Sequence, residues 1–144
     1  MKLSTKCRYG SRAVIEIARN YKQGPLKRKE IVKKQQISDS YLENILISLK
    51  NGGIIDTIRG AKGGYLLRRA PSDINLLEIV NTLDGSLSPV ECLDSPSSCE
   101  KVGKCATRMA WGRMKKAKED VLRSITIQEL LDYEKEKYTP DYSI

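Results

Sequence analysis

The sequence contains no histidine and no phenylalanine, and its only tryptophan is Trp111. Without histidine the chain cannot supply an imidazole base, a histidine-containing triad or a mixed cysteine/histidine zinc site. Any metal must be held by thiolate, carboxylate or backbone groups. Long apolar runs are missing too: nothing approaches the ~20 apolar residues of a membrane span. The opening Met1-Lys2-Leu3 does not begin a signal peptide. The chain therefore reads as cytoplasmic, with no membrane contact, a setting where disulfides are rare and clustered cysteines mean metal or redox chemistry. No nucleophile–base pair is apparent, and neither lysines nor carboxylates form a catalytic motif, so the chain reads as a non-enzyme.

Acidic residues are scarce in the first half. Residues 1–70 hold 16 Lys/Arg against 5 Asp/Glu, a net +11, whereas residues 71–144 hold 10 against 13, a net −3. A basic half joined to a mildly acidic one is the electrostatic footprint of a nucleic-acid reader with a second module.

Apolar positions at Tyr9, Ala13, Val14, Ile17, Ala18 and Tyr21 keep helical spacing and predict a helix over 4–21. Gly24-Pro25 breaks it. A short basic helix is expected over 27–35, anchored by Ile31 and Val32. The next helix starts at a cap, either Ser38 or Ser40, the latter forming a capping box with Glu43. Its apolar face is Leu42, Ile45, Leu46 and Leu49, and Asn51-Gly52-Gly53 ends it. Such a pair is a helix-turn-helix pattern. The β-branched run 54–58, the cationic glycine-rich turn 59–64 and the run 65–68 then predict a hairpin. Placed directly after a recognition-type helix, that hairpin has the form of a wing, with Arg59, Gly60 and Lys62 at its tip.

A further helix is expected over 75–84, capped by Asn75 with Glu78. Beyond the connector, Ala106, Ala110, Met114, Ala117, Val121 and Ile125 advance by four, four, three, four and four. That seam predicts a long helix whose small residues allow close approach, packing against a copy of itself. Thr126 to Glu129 opens a last helix. The expected fold is mainly α with a small β-hairpin wing: a winged helix-turn-helix domain plus a long dimerisation helix. The expected division is 1–84 for DNA binding, 85–105 for a cysteine loop, 106–137 for the dimerisation and C-terminal helices, and 138–144 for a tail.

The connector carries Cys92, Cys99 and Cys105 at C-x6-C-x5-C spacing among Ser, Pro, Gly and charged residues. A loop this long with little to bury is commonly functional or disordered, and three thiols suggest that a metal orders it. Thiolates suit zinc and iron–sulfur clusters alike, but the C-x2–4-C knuckles of structural zinc sites are absent. Zinc and plain redox thiols remain the other readings.

The segments MKLSTKCRYGSRAV, ISDSYLENILISLKNGGIIDTIRGAKGGYLL and the cysteine loop running into CATRMAW resemble the Rrf-type winged-helix regulators. The cysteine triplet resembles the cluster-binding, IscR-like branch; cysteine-metabolism regulators of the family lack it. The resemblance implies a homodimer on a double-stranded DNA operator, with the recognition helix at 38–50. Ser38, Ser40, Tyr41 and Glu43 are the implied base readers, and Arg59, Gly60 and Lys62 the wing contacts. It implies an iron–sulfur cluster, 2Fe–2S rather than 4Fe–4S, bound by Cys92, Cys99 and Cys105. The implied function is cluster-status sensing with repression of cluster-assembly genes, including its own operon; nitric-oxide or redox sensing is the alternative. In IscR-like members the fourth ligand is a histidine three residues after the last cysteine, and Arg108 stands there. The nitric-oxide-sensing branch draws a carboxylate from the first turn of the partner subunit's N-terminal helix. On that resemblance Cys7 is the candidate fourth ligand, with Asp94, Glu91, Glu100 or a small exogenous thiol as fallbacks.

Overall fold

The computed structural model describes residues 2–138. Its centre is helix α1 (Thr5–Arg19), started by Ser4, whose hydroxyl accepts from the Cys7 amide at 2.9 Å. Cys7, Ala13, Val14, Ile17 and Ala18 all turn inward. Gly10 is set by packing: a Cβ there would collide with Leu83 Cδ1, so α1 and the helix carrying Leu83 touch where only hydrogen fits.

Helix α2 (Arg28–Gln35) closes at Gln36 in a left-handed turn (φ 53°), and α3 (Asp39–Asn51) follows at once. Ser38 is the cap of α3, its hydroxyl accepting from the Tyr41 amide at 3.3 Å. The alternative capping box at Ser40 is not formed; Glu43 turns to Arg28 instead, at 3.3 Å. Leu42, Ile45, Leu46 and Leu49 are buried, as the spacing required.

Strands β1 (Ile55–Ile58) and β2 (Gly64–Leu67) pair antiparallel, Ile55 opposite Leu67 and Ile58 opposite Gly64. Leu26, just before α2, bridges to Tyr65 and ties the hairpin to the helix pair. At the tip Gly60 has φ +111°, a conformation that suits glycine. The fold is thus mainly helical with a two-stranded wing, as expected.

Helix α4 (Leu76–Asp84) carries the reciprocal capping box of Asn75 and Glu78. The connector then runs through single 3-10 turns at Glu91–Leu93 and Pro96–Ser98. Helix α5 (Ala106–Ser124) has no buried residue; one side leans on α4 and the start of the connector. Its apolar stripe faces outward, with Met109 59 %, Met114 44 % and Val121 59 % exposed. Helix α6 (Ile127–Tyr138) starts at Thr126, whose hydroxyl accepts from the Glu129 amide. Ile127 and Leu131 enter the same core as α1, so α6 belongs with the winged helix in packing although it follows α5 in sequence. Of the expected tail, 139–144 lie outside the described residues. No helix among the described residues is long and apolar enough to cross a membrane.

Candidate nucleic-acid interface and cysteine loop

The head of α3, the start of α2 and the wing share one surface. A cleft of about 520 Å³ is lined by Lys27, Arg28, Lys29, Asp39, Ile58 and the wing-tip glycines. Ser38, Ser40 and Glu43 are exposed here, and Tyr41 is half-buried. Tyr41 is positioned from beneath: its ring meets Tyr9 of α1 edge-on at 6.2 Å, and the Arg12 guanidinium lies 5.5 Å from the Tyr9 ring. Arg59, Gly60 and Lys62 project at the wing tip, all exposed. A protruding cationic hairpin beside an exposed helix head can meet backbone phosphates while the helix meets base edges.

Arg28 was not singled out by sequence. It forms a bidentate pair with Asp39, Nε to Oδ1 at 2.8 Å and Nη2 to Oδ2 at 2.9 Å, and its Nη1 lies 3.3 Å from Glu43. The Asp39 hydrogen bonds raise the guanidinium above its ordinary value. Residues eleven and fifteen positions apart belong to different helices, so no helical periodicity links them.

The cysteine connector is held unevenly. Its first part is latched to α5 by three cations. Arg108 Nη2 donates to the Cys92 carbonyl at 3.3 Å, Lys115 Nζ meets Asp94 at 2.9 Å, and Lys118 Nζ donates to the Leu87 carbonyl at 2.9 Å. Ser86, Ser88 and Lys115 hold the Asp94 carboxyl well below the usual carboxylate range. Residues 95–104 are held mainly by local turns. All four cysteines are free; Cys99 is exposed, and Cys92 and Cys105 are half-buried. Cys105 sits at the N-cap of α5 with its Sγ 3.2 Å from Thr107 Oγ1. That hydroxyl, then the Arg108 amide, lowers the thiol from its ordinary value, which favours the thiolate that binds metal.

The three loop thiols therefore suit a thiolate-bound metal or cluster in accessibility and chemistry. They are not pre-assembled: no group of three His, Cys, Asp or Glu among the described residues is close enough to hold a metal. On α5 the Arg108 Nε is buried with no hydrogen-bond partner among the described residues. Cys7 lies apart from them. It is fully buried on α1, and burial first, then Asp84, pushes its thiol up to about 11. A fourth-ligand role for Cys7, contributed from the partner subunit's α1, would require that thiol to be uncovered and deprotonated, and it stands as a proposal. Within the protomer its small apolar side chain serves packing.

Comparison with known proteins agrees with this architecture. The family model Rrf2, described as iron-dependent transcriptional regulator, matches residues 3–133. The chain is 38 % identical over 133 residues to the regulator CymR of Bacillus subtilis, covering 92 % of this chain and 91 % of that one. It is 33 % identical over 132 residues to IscR of Klebsiella pneumoniae, covering 92 % and 80 %. The solved structure of T. potens IscR superposes with TM-score 0.78 at 34 % identity, covering 96 % of this chain and 92 % of that one. The likeness to IscR is real, and a CymR relative stands at higher identity. Histidine-free, winged and built around the same helical order, this chain belongs to the Rrf2 family of transcriptional regulators.

Proposed function

We propose that the protein is a dimeric DNA-binding repressor that reports iron–sulfur cluster status through a cluster held by Cys92, Cys99 and Cys105. The observation that carries this reading is the three free thiols on one connector, latched by Arg108, Lys115 and Lys118 to a long helix. The exposed apolar stripe of α5 supports the dimer, since solvated apolar stripes of this length mark association surfaces. Two-fold pairing presents two winged helices to a palindromic operator. On each, Ser38, Ser40, Tyr41 and Glu43 read base edges, while Arg59, Gly60 and Lys62 hold the backbone. Glu43 accepts from cytosine N4 where the base matches and repels phosphate where it does not.

A cluster of the 2Fe–2S kind would supply a centre that oxidants and nitric oxide attack. The residues of the chain do the rest. Cys105 presents its thiolate from the head of α5, Cys92 from the latched part of the connector, and Cys99 from its loosely held part. Binding of a cluster through Cys99 would order the connector and so bias a two-state element. The regulated genes in this reading are those for cluster assembly, including its own operon.

The test is anaerobic purification with iron and sulfide analysis and absorption spectra, followed by mobility shifts on the chain's own upstream region. Coloured protein whose DNA binding changes on cluster loss supports the reading. Colourless protein after reconstitution sinks it. A second reading, favoured by the 38 % identity to CymR, is regulation without a cluster; DNA binding by that colourless form would support it.

A further inference from the structure

The head of α3 is unusual for a DNA-facing surface because it presents two carboxylates, Asp39 in its first turn and Glu43 one turn on. Both are about half exposed, and both are held by one side chain, Arg28 of α2. Asp39 takes both of its short hydrogen bonds through the planar fork, and Glu43 takes the remaining arm. No other cation pairs with either carboxylate among the described residues. Lys27 and Lys29 flank Arg28 in the same cleft beside the wing, without an ion pair to this acidic head.

We propose that Arg28 is a specificity-determining residue: clamped on Asp39 and Glu43 at the head of the recognition helix, it sets how strongly that acidic end discriminates between operators. The physical argument has two parts. First, bare carboxylates beside phosphate repel it at every sequence, and the guanidinium cancels that repulsion. Second, the arm on Glu43 competes with a base for the same carboxylate oxygens. With Arg28 in place Glu43 is turned toward α2, and reading a cytosine N4 requires giving up or sharing that arm. Removing Arg28 therefore has opposite effects on affinity and on discrimination. Affinity for every duplex falls, while the spread between matched and mismatched duplexes at the Glu43-facing base pair widens. An arginine that merely bound phosphate would lower affinity evenly and reduce the salt slope.

The proposal rests on α3 being the DNA-reading helix. The experiment uses full-length wild type, Arg28→Gln, Arg28→Lys, Glu43→Gln and the Arg28→Gln/Glu43→Gln double variant. The probes are the tightest duplex selected from a randomised library on wild-type protein and its single-base-pair variants, at two salt concentrations. Arg28→Gln is expected to weaken the selected duplex about tenfold and to widen the spread at one base-pair position about fivefold, the scale of a single base-edge contact. On the Glu43→Gln background the same change should widen nothing and cost about threefold or less, a coupling that a double-mutant cycle isolates. Arg28→Lys, which keeps the charge but not the fork, should fall between. Equal loss on every duplex irrespective of Glu43, or no change in spread, overturns the proposal while leaving the DNA-binding function intact. Should Arg28→Gln fail to fold by circular dichroism, Arg28→Lys with and without Glu43→Gln decides by the same double-mutant coupling. Wild-type protein that selects no duplex overturns the functional reading itself, and this inference with it.

Discussion

Replacing Val121 by lysine tests the proposed dimer at a position where the protomer has little to lose. Val121 lies on the outward stripe of α5 beside a shallow apolar hollow formed with Leu3, Ala117, Lys118 and Leu122. It is 59 % exposed, and full burial of a valine is worth about 1.5–3 kcal/mol, so roughly 1–2 kcal/mol remains to be gained on association. Two-fold symmetry counts the position twice, giving about 2–4 kcal/mol for the pair. That range raises the dimer Kd about 30- to 1,000-fold. The lysine stem can still lie along the surface with its ammonium in water, so the upper end of the range is a ceiling. Sedimentation equilibrium over a concentration series reads the change directly, with thermal melting as the control for the protomer. A variant that dimerises like wild type, with an unchanged Tm, refutes the assignment of this stripe to the interface. Loss of both dimer and Tm would instead mean that α5 is held in place by the same contact.

Four further outcomes follow from the geometry. Gly10→Ala drives a methyl into Leu83 and should cost about 1–3 kcal/mol by overpacking, read as a lower denaturation midpoint; an unchanged midpoint would show that Leu83 moves freely. Cys99→Ser should abolish the absorption of a cluster held by the loop thiols, and Cys7→Ser decides the fourth ligand: lost or altered absorption supports Cys7 from the partner subunit, whereas full, unaltered absorption rules it out. Lys62→Ala at the wing tip should lower DNA affinity evenly across sequences and make the log–log salt slope shallower by about 0.9 for each phosphate the lysine neutralises, measured by fluorescence anisotropy. Burial alone would raise the Glu16 carboxyl, but Arg19 and Lys34 outweigh it and leave it below its ordinary value. Its folded pKa is thus depressed, so its contribution to stability is present above the unfolded value and lost as pH falls through the folded one. Glu16→Gln should flatten the decline of Tm on acidification, and parallel curves for the two proteins would contradict that.

The fold was legible wherever one physical signal decided it. The 3-4 spacing of Leu42, Ile45, Leu46 and Leu49 specified the buried face of α3, and the run 54–68 specified the hairpin. Both signals are local, and tertiary packing had no reason to override them. The cap of α3 was not decided by sequence because Ser38 and Ser40 both offer a hydroxyl; the helix uses Ser38, and Glu43 pairs with Arg28. That pairing depends on the turn at Gln36 bringing two helices together, which no sequence window contains. The burial of Cys7 shows the same limit. A cysteine in a first helical turn has the right chemistry for a ligand, and only the packing of α4 over α1 reveals its burial. The placement of α6 was likewise hidden, because sequence order put it after α5 while Ile127 and Leu131 found their partners on α1.

The contacts available to carry a change from the connector to α3, the recognition helix of the proposed function, can be followed through packed elements. The connector leaves α4 immediately after Asp84, and Asp84 accepts both the amide and the hydroxyl of Ser4. The last residue of α4 and the cap of α1 are therefore one junction, and the Gly10–Leu83 approach fixes the two helices just inside it. From there α1 presents Tyr9 edge-on to Tyr41, an implied base reader on α3. A displacement of the Asp84 end need not bend any helix to be felt at Tyr41. On the proposed function, a rigid-body shift of α1 would suffice, since close-packed cores shift between discrete arrangements rather than deforming continuously. The Arg19 end is restrained differently: its guanidinium bridges Glu16 on its own helix and Glu134 on α6, and Glu16 in turn holds Lys34 and Gln35 of α2. The N-terminal end of α1 thus meets the end of α4 and the head of α3, while its C-terminal end is anchored to α6 and α2. Tyr9 lies on the end that the Asp84–Ser4 junction and the Gly10–Leu83 approach couple to α4.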